Sequence, residues 1–114
     1  MSGDITLTSP SGKSTVRIST HGATVLSWIV NSNERIFLSK LANADHPVSG
    51  KGIRGGIPVV FPNFGPWDLG PQHGFARGKQ WTIASQTASC AVLVLVNDAE
   101  TERIWNHKFE LRYY

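Results

Sequence analysis

Ile5-Thr6-Leu7-Thr8-Ser9-Pro10-Ser11-Gly12-Lys13-Ser14-Thr15-Val16-Arg17-Ile18-Ser19-Thr20 reads as a strand, a turn and a returning strand. Ser9-Pro10-Ser11-Gly12 supplies the turn, with proline and glycine where tight turns use them. On the returning arm, Val16 and Ile18 alternate with polar residues, so both face inward. The pattern repeats along the chain. Ala23 to Val30 is predicted as a third strand that carries Trp28 into the core. Asn31-Ser32-Asn33 is a turn, and Glu34 to Leu38 is a fourth strand. Trp81 to Thr87 and Cys90 to Asn97 form a further hairpin. Within it, Val92 to Val96 is unbroken apolar sequence, as in a strand buried on both faces. Asp98 to Trp105 is a connector with one helical turn. Lys108 to Tyr114 alternates again, with Phe109, Leu111 and Tyr113 on one side. Short β-branched segments between turn residues, with no long helical period, predict an all-β fold.

Between these strands lies a different kind of sequence. Residues 39 to 57 are mostly polar or glycine and are predicted to be a loop, and Pro58 to Phe61 a short edge strand, where proline is tolerated. Residues 52 to 77 hold four of the six prolines together with Val59, Val60, Phe61, Phe64, Trp67 and Phe75. A strand tolerates that much proline and glycine poorly, and a flexible linker would not carry those apolar side chains. The expectation is a stiff, ordered loop wall presenting a few polar groups, the profile of a binding site.

Composition narrows the function. The chain has 114 residues, 17% charged, with a net charge of +3. That length suits one domain, and the low charge and ordinary apolar fraction argue against disorder. The eleven basic residues are scattered, whereas a nucleic-acid surface needs a patch or stripe. The mild positive balance suits a small anionic ligand. Cys90 is the single cysteine; it is expected to be buried and inert, and its solitude favours a reducing, cytoplasmic setting. The N-terminus has neither the basic start nor the apolar core of a signal peptide. The longest apolar run, Ala91 to Val96, is far too short to span a bilayer. Zinc spacing, a phosphate-binding glycine loop, a dinucleotide fingerprint and a nucleophile elbow are all missing, and no metal or cofactor is expected.

Arg54-Gly55-Gly56-Ile57-Pro58-Val59-Val60-Phe61-Pro62, followed by Gln72-His73-Gly74-Phe75-Ala76-Arg77, resembles the aldose 1-epimerase (mutarotase) superfamily, and within it the glucose-6-phosphate 1-epimerase branch. Gly22-Ala23-Thr24-Val25-Leu26-Ser27-Trp28 is similar to an early strand of that branch, and Trp81 also matches. The resemblance implies an antiparallel β-sandwich of the galactose mutarotase-like type. Residues 1–114 would be an incomplete N-terminal portion of that single domain. It also implies a hexose 6-phosphate substrate and a monomer when complete. Family members run to roughly twice this length or more, and their catalytic histidine and glutamate are expected beyond Tyr114.

The resemblance assigns Arg54 and His73 to the substrate. Arg77 would gather the phosphate or shape the pocket, and Gln72 would reach the sugar or satisfy backbone groups. The side chains suit those tasks. An arginine fork bonds two oxygens at once, and a neutral imidazole donates at one nitrogen and accepts at the other. Lys79 and Lys51 are read as solvated, and Phe64, Trp67 and Phe75 as loop packing more than sugar stacking. His21, His46 and His107 are read as surface or turn residues. The final strand, ending on Tyr113-Tyr114 without a cap, is an apolar edge of the kind that complete proteins blunt; it is a second reason to expect a portion of a longer fold.

Overall fold

The structure, a computed structural model, describes residues 3–42 and 44–114. Two antiparallel sheets make up the fold. The first has the order β1 (Asp4–Thr8), β2 (Ser14–Ser19), β3 (Thr24–Val30), β4 (Asn33–Glu34). The second has the order β5 (Thr82–Gln86), β6 (Ala91–Val96), β7 (Glu110–Tyr113). Between β6 and β7 lies one short helix, α1 (Ala99–Ile104).

The core lies where the sheets face each other. Ile5 and Ile18 of the first sheet pack with Ala91, Leu93 and Leu95 of the second, and Trp81 closes one side. The hairpin turn forms as expected: the Gly12 N–H donates to the Ser9 carbonyl at 2.8 Å. α1 exists because Asp98 caps it. The Asp98 carboxylate accepts from the Thr101 N–H at 2.8 Å while the Thr101 hydroxyl accepts from the Asp98 N–H at 2.9 Å. Such a reciprocal box satisfies two otherwise orphaned donors.

Three strand-level expectations need correction. The fourth strand is only two residues, Asn33 and Glu34. Its carboxylate accepts from the Trp28 N–H at 2.8 Å and from the Arg35 and Ile36 N–H groups at 3.1 Å each, and from the Ser27 hydroxyl. A side chain thus takes donors that a longer ladder would need. Pro58 to Phe61 is not a strand; Phe61 makes a single parallel bridge to Gly74. β6 is buried on one face through Ala91, Leu93 and Leu95, while Val92 and Val94 are half-buried and Val96 is exposed.

Trp28 is also misplaced by simple alternation. A bulge between Arg17 and Ile18 leaves Leu26 without a cross-strand partner. Beyond it Trp28 and Ile29, on opposite faces, are 43% and 39% exposed, so that end of β3 is only partly covered among the described residues. The indole N–H donates to the Ser14 hydroxyl at 3.0 Å instead. Cys90 is exposed, not buried, because it stands at the turn into β6 beside an open cleft of about 340 Å³ lined by Leu7, Leu93, Tyr113 and Tyr114. No helix among the described residues is long and apolar enough to cross a membrane.

Candidate functional site

Two loop segments, 50–57 and 61–78, are bound to each other and to the first sheet. Ile57 exchanges backbone bonds with Val25 of β3 at 2.9 and 3.2 Å. Gly56, at φ +71°, donates to the Phe37 carbonyl at 2.7 Å. A Cβ there would stand 2.2 Å from the Val25 carbonyl oxygen, so the position admits glycine alone. This clamp fixes the backbone on which Arg54 stands. The Arg54 carbonyl accepts from the Ser39 N–H at 3.1 Å, and its side chain is exposed.

His73 is held more tightly. Its backbone is left-handed at φ +68°, which is uncommon for any residue but glycine. Both its N–H and its ring Nδ1 bond the Phe64 carbonyl, at 3.0 and 2.6 Å. A carbonyl only accepts, so Nδ1 carries the proton and Nε2 of the neutral ring is left as an acceptor. The next residue, Gly74, lies so close to Phe61 that a Cβ would fall 1.9 Å from the Phe61 oxygen. Underneath, Phe61 meets Phe75, Trp105 and Phe109 at ring separations of 6.2, 5.6 and 5.2 Å. Phe75 is therefore core packing, as expected, whereas Phe64 is exposed with its ring 5.2 Å from that of His73.

Arg77 sits in a single 3-10 turn, Ala76–Gly78, and ties the segments together. Its guanidinium donates to the Gln72 carbonyl at 3.3 Å. Its stem packs on Gly52, where a Cβ would be 3.1 Å from Arg77 Cδ. The Gly50 N–H donates to the Gly78 carbonyl at 2.9 Å. Gln72 and Arg77 are thus in direct contact, and Arg77 lies against the strand of chain leading to Arg54. No hydrogen bond or ion pair joins Arg54 to Gln72, His73 or Arg77 among the described residues. The cleft beside Cys90 and a polar hollow between Lys13 and Asn31 take in none of them.

Two side chains read as solvated or superficial are neither. His21 is 4% exposed, and its Nε2 donates to the Lys51 carbonyl at 2.6 Å. Lys79 bonds Asp98 at 2.5 Å and Glu100 at 3.0 Å. Burial works against its charge, but those two carboxylates outweigh it and raise its pKa above the ordinary lysine value. Lys79 thereby holds α1 to the loop and is not free for an anionic ligand. Asn63 escapes sequence reasoning altogether. Its Nδ2 donates to the Gly65 and Pro71 carbonyls at 2.8 and 3.1 Å, and its buried Oδ1 has no hydrogen-bond partner among the described residues. Its place between Pro62 and Phe64 in the loop wall was the available signal. No cluster of metal-ligating side chains is found among the described residues.

The sequence profile of the aldose 1-epimerase family matches residues 3–114. Two curated relatives, from Cenchrus ciliaris and Escherichia coli K12, are both named "putative glucose-6-phosphate 1-epimerase". Each is 38% identical to this chain, over 102 and 96 residues, or 81% and 79% of it. The chain spans only 30% and 32% of their lengths. A crystal structure of a galactose mutarotase related enzyme from Lactobacillus acidophilus superposes on 96% of this chain at a TM-score of 0.76 and 27% identity. It too is covered only in part, over 37% of its chain. The two-sheet architecture is thus that of the galactose mutarotase-like fold.

Proposed function

This chain belongs to the aldose 1-epimerase family, and on that premise we propose that it is the substrate-holding wall of an enzyme that interconverts the α and β anomers of a hexose 6-phosphate. The observation that carries the reading is the locked pair of motifs. Arg54 and His73 stand beside glycines whose positions leave no room for a Cβ, on two segments tied by the Gly50–Gly78 bond and by Arg77. Preorganised groups of this kind are what orientation of a sugar requires.

Anomer exchange needs a base to take the C1 hydroxyl proton and an acid to protonate the ring oxygen. The ring C–O bond breaks, the aldehyde turns about C1–C2, and closure on its other face returns both protons. In this reading Arg54 donates to two sugar oxygens, and Nε2 of His73 accepts from a hydroxyl. Arg77 keeps donors beyond the one given to Gln72 and meets the phosphate, and the Gln72 amide borders the same surface. The proton-transfer pair comes from residues outside this chain, and residues 1–114 are one part of a single sandwich domain.

Titration of the chain with glucose 6-phosphate, followed by amide chemical shifts, tests the reading. Shifts are expected around residues 52–56 and 72–77. Arg54→Ala is expected to weaken binding by about 1.5–3 kcal/mol, the worth of a hydrogen bond to a charged donor. In a chain extended to its relatives' length, the same change is expected to slow anomer exchange measured by magnetisation transfer. Unchanged binding and exchange in Arg54→Ala would remove Arg54 from the site. A second reading, binding without turnover, is favoured for the 114-residue chain by its span of about a third of its relatives. Anomer exchange by this chain itself would exclude it.

A further inference from the structure

We propose that Asn63 is a positioning residue for His73. Its side-chain amide closes the loop of residues 64 to 72. The Phe64 carbonyl is thereby held where it keeps His73 protonated at Nδ1 and open as an acceptor at Nε2. The bonds run across one neck of chain. The Phe64 carbonyl accepts from the His73 N–H at 3.0 Å and from its Nδ1 at 2.6 Å. Beside it, Asn63 Nδ2 donates to the Pro71 carbonyl at 3.1 Å and to the Gly65 carbonyl at 2.8 Å. Asn63, Phe64 and Gly65 on one limb are thus tied to Pro71 and His73 on the other.

Chemistry leaves one orientation for the amide. Both neighbours are carbonyls, which only accept, so the nitrogen and not the oxygen faces them. The Pro71 carbonyl also accepts from the Gly74 N–H at 3.1 Å; its two lone pairs serve both donors. Asn63 therefore bonds a carbonyl that brackets His73 from both sides in sequence. Which ring nitrogen of a neutral histidine carries the proton is set by the hydrogen bonds that the ring makes. Displacing the Phe64 carbonyl would free His73 to protonate Nε2, and the acceptor would become a donor.

Other contacts in the loop do not make that choice. The Phe64 ring lies 5.2 Å from the His73 ring, tilted by 55°, but it is the Phe64 carbonyl that bonds Nδ1. Arg77 reaches the same limb only at the Gln72 carbonyl, at 3.3 Å, and on a long side chain. The left-handed backbone of His73, at φ +68°, is uncommon for any residue but glycine, and the ties to Phe64 and Pro71 offset its cost. The consequence for a ligand rests on the reading of His73 as a sugar contact; the tautomer itself does not.

The test begins without sugar. Nitrogen NMR of the histidine-labelled full chain at about pH 8.5, above the ordinary histidine range, reads the tautomer of His73, with His73→Gln giving the assignment. The wild type is expected in the Nδ1–H form, and Asn63→Ala largely in the Nε2–H form. Phe64→Ala disturbs the same loop but keeps the carbonyl and the Asn63 amide, so it is expected to leave the tautomer unchanged. A wild type in the Nε2–H form overturns the proposal. So does an Asn63→Ala variant with the wild-type tautomer, or a Phe64→Ala variant that shifts as far. Affinity for glucose 6-phosphate is then expected to fall roughly fivefold in Asn63→Ala, the worth of one neutral hydrogen bond. The same change in a His73→Ala background should cost nothing more, and additive losses overturn the positioning role. Wild type that binds no glucose 6-phosphate refutes the sugar reading alone, and the tautomer then decides. Should Asn63→Ala lose its dispersed amide spectrum, the wild type decides through couplings carried by hydrogen bonds. Couplings from Asn63 Nδ2 to the Pro71 carbonyl carbon and from His73 Nδ1 to that of Phe64 support the proposal, and the lack of either overturns it.

Discussion

Glu34 is a single exposed carboxylate that organises a whole turn. The Ser27 hydroxyl and the N–H groups of Trp28, Ile36 and Arg35 all bond its charged form and lower its pKa from 4.5 to about 2. A folded-state pKa below the unfolded one means that the unfolded chain binds more protons in between. The contribution is thus complete above about pH 4.5 and fades as the pH falls through about 2. A carboxyl-carbon NMR titration is expected to find the Glu34 midpoint near 2. Glu34→Gln should lose this pH dependence and loosen the β3–β4 turn. A midpoint in the ordinary carboxylate range would show that the turn does not hold Glu34 in this way. Such a role was hidden in the sequence, where Glu34 reads as one polar position of a strand. His21 and Lys79 were hidden for a related reason. Their partners lie 30 and 19 residues away, at Lys51 and Asp98, and nothing local announces them.

At the scale of elements, what the sequence made legible was local. Both hairpins, β3, the helical turn and β7 follow from alternation and turn residues within a few positions of each other. Pro58 to Phe61 and the stretch after Glu34 went astray because their backbone groups are settled by distant segments, Phe37 with Gly56 and Phe61 with Gly74. The two motifs of the candidate site were legible through their family resemblance. The tie between them was not, since Arg77 acts through its stem and a carbonyl. α1 offers a clean test of a local rule. Asp98→Ala should cost about 1–2 kcal/mol, because it removes an N-cap and one of the two Lys79 contacts. Asp98→Asn keeps a capping oxygen and loses only the charge, so it should cost less. Equal losses in urea denaturation would mean that the ion pair, and not the cap, holds α1.

For the whole molecule, stability rests on the facing inner surfaces of two thin sheets. Leu93 is 2% exposed in that core and Val96, on the same strand, is 50% exposed. Leu93→Ala is expected to cost about 2–5 kcal/mol, a large part of the 5–15 kcal/mol typical of a folded domain. Val96→Ala should stay within about 0.5 kcal/mol. Similar losses at both positions would mean that the sheets are not packed as described. Amide exchange is expected to be slowest in β2, β3 and β6, which are paired on both sides.

The exposure of Cys90 has a practical consequence. One thiol per molecule, accessible and at the lip of the apolar cleft, is an address for a chemical reporter. A maleimide dye or a nitroxide should attach once, without mutagenesis, beside Leu93 and Tyr113. Its emission or mobility would then register whatever enters that cleft.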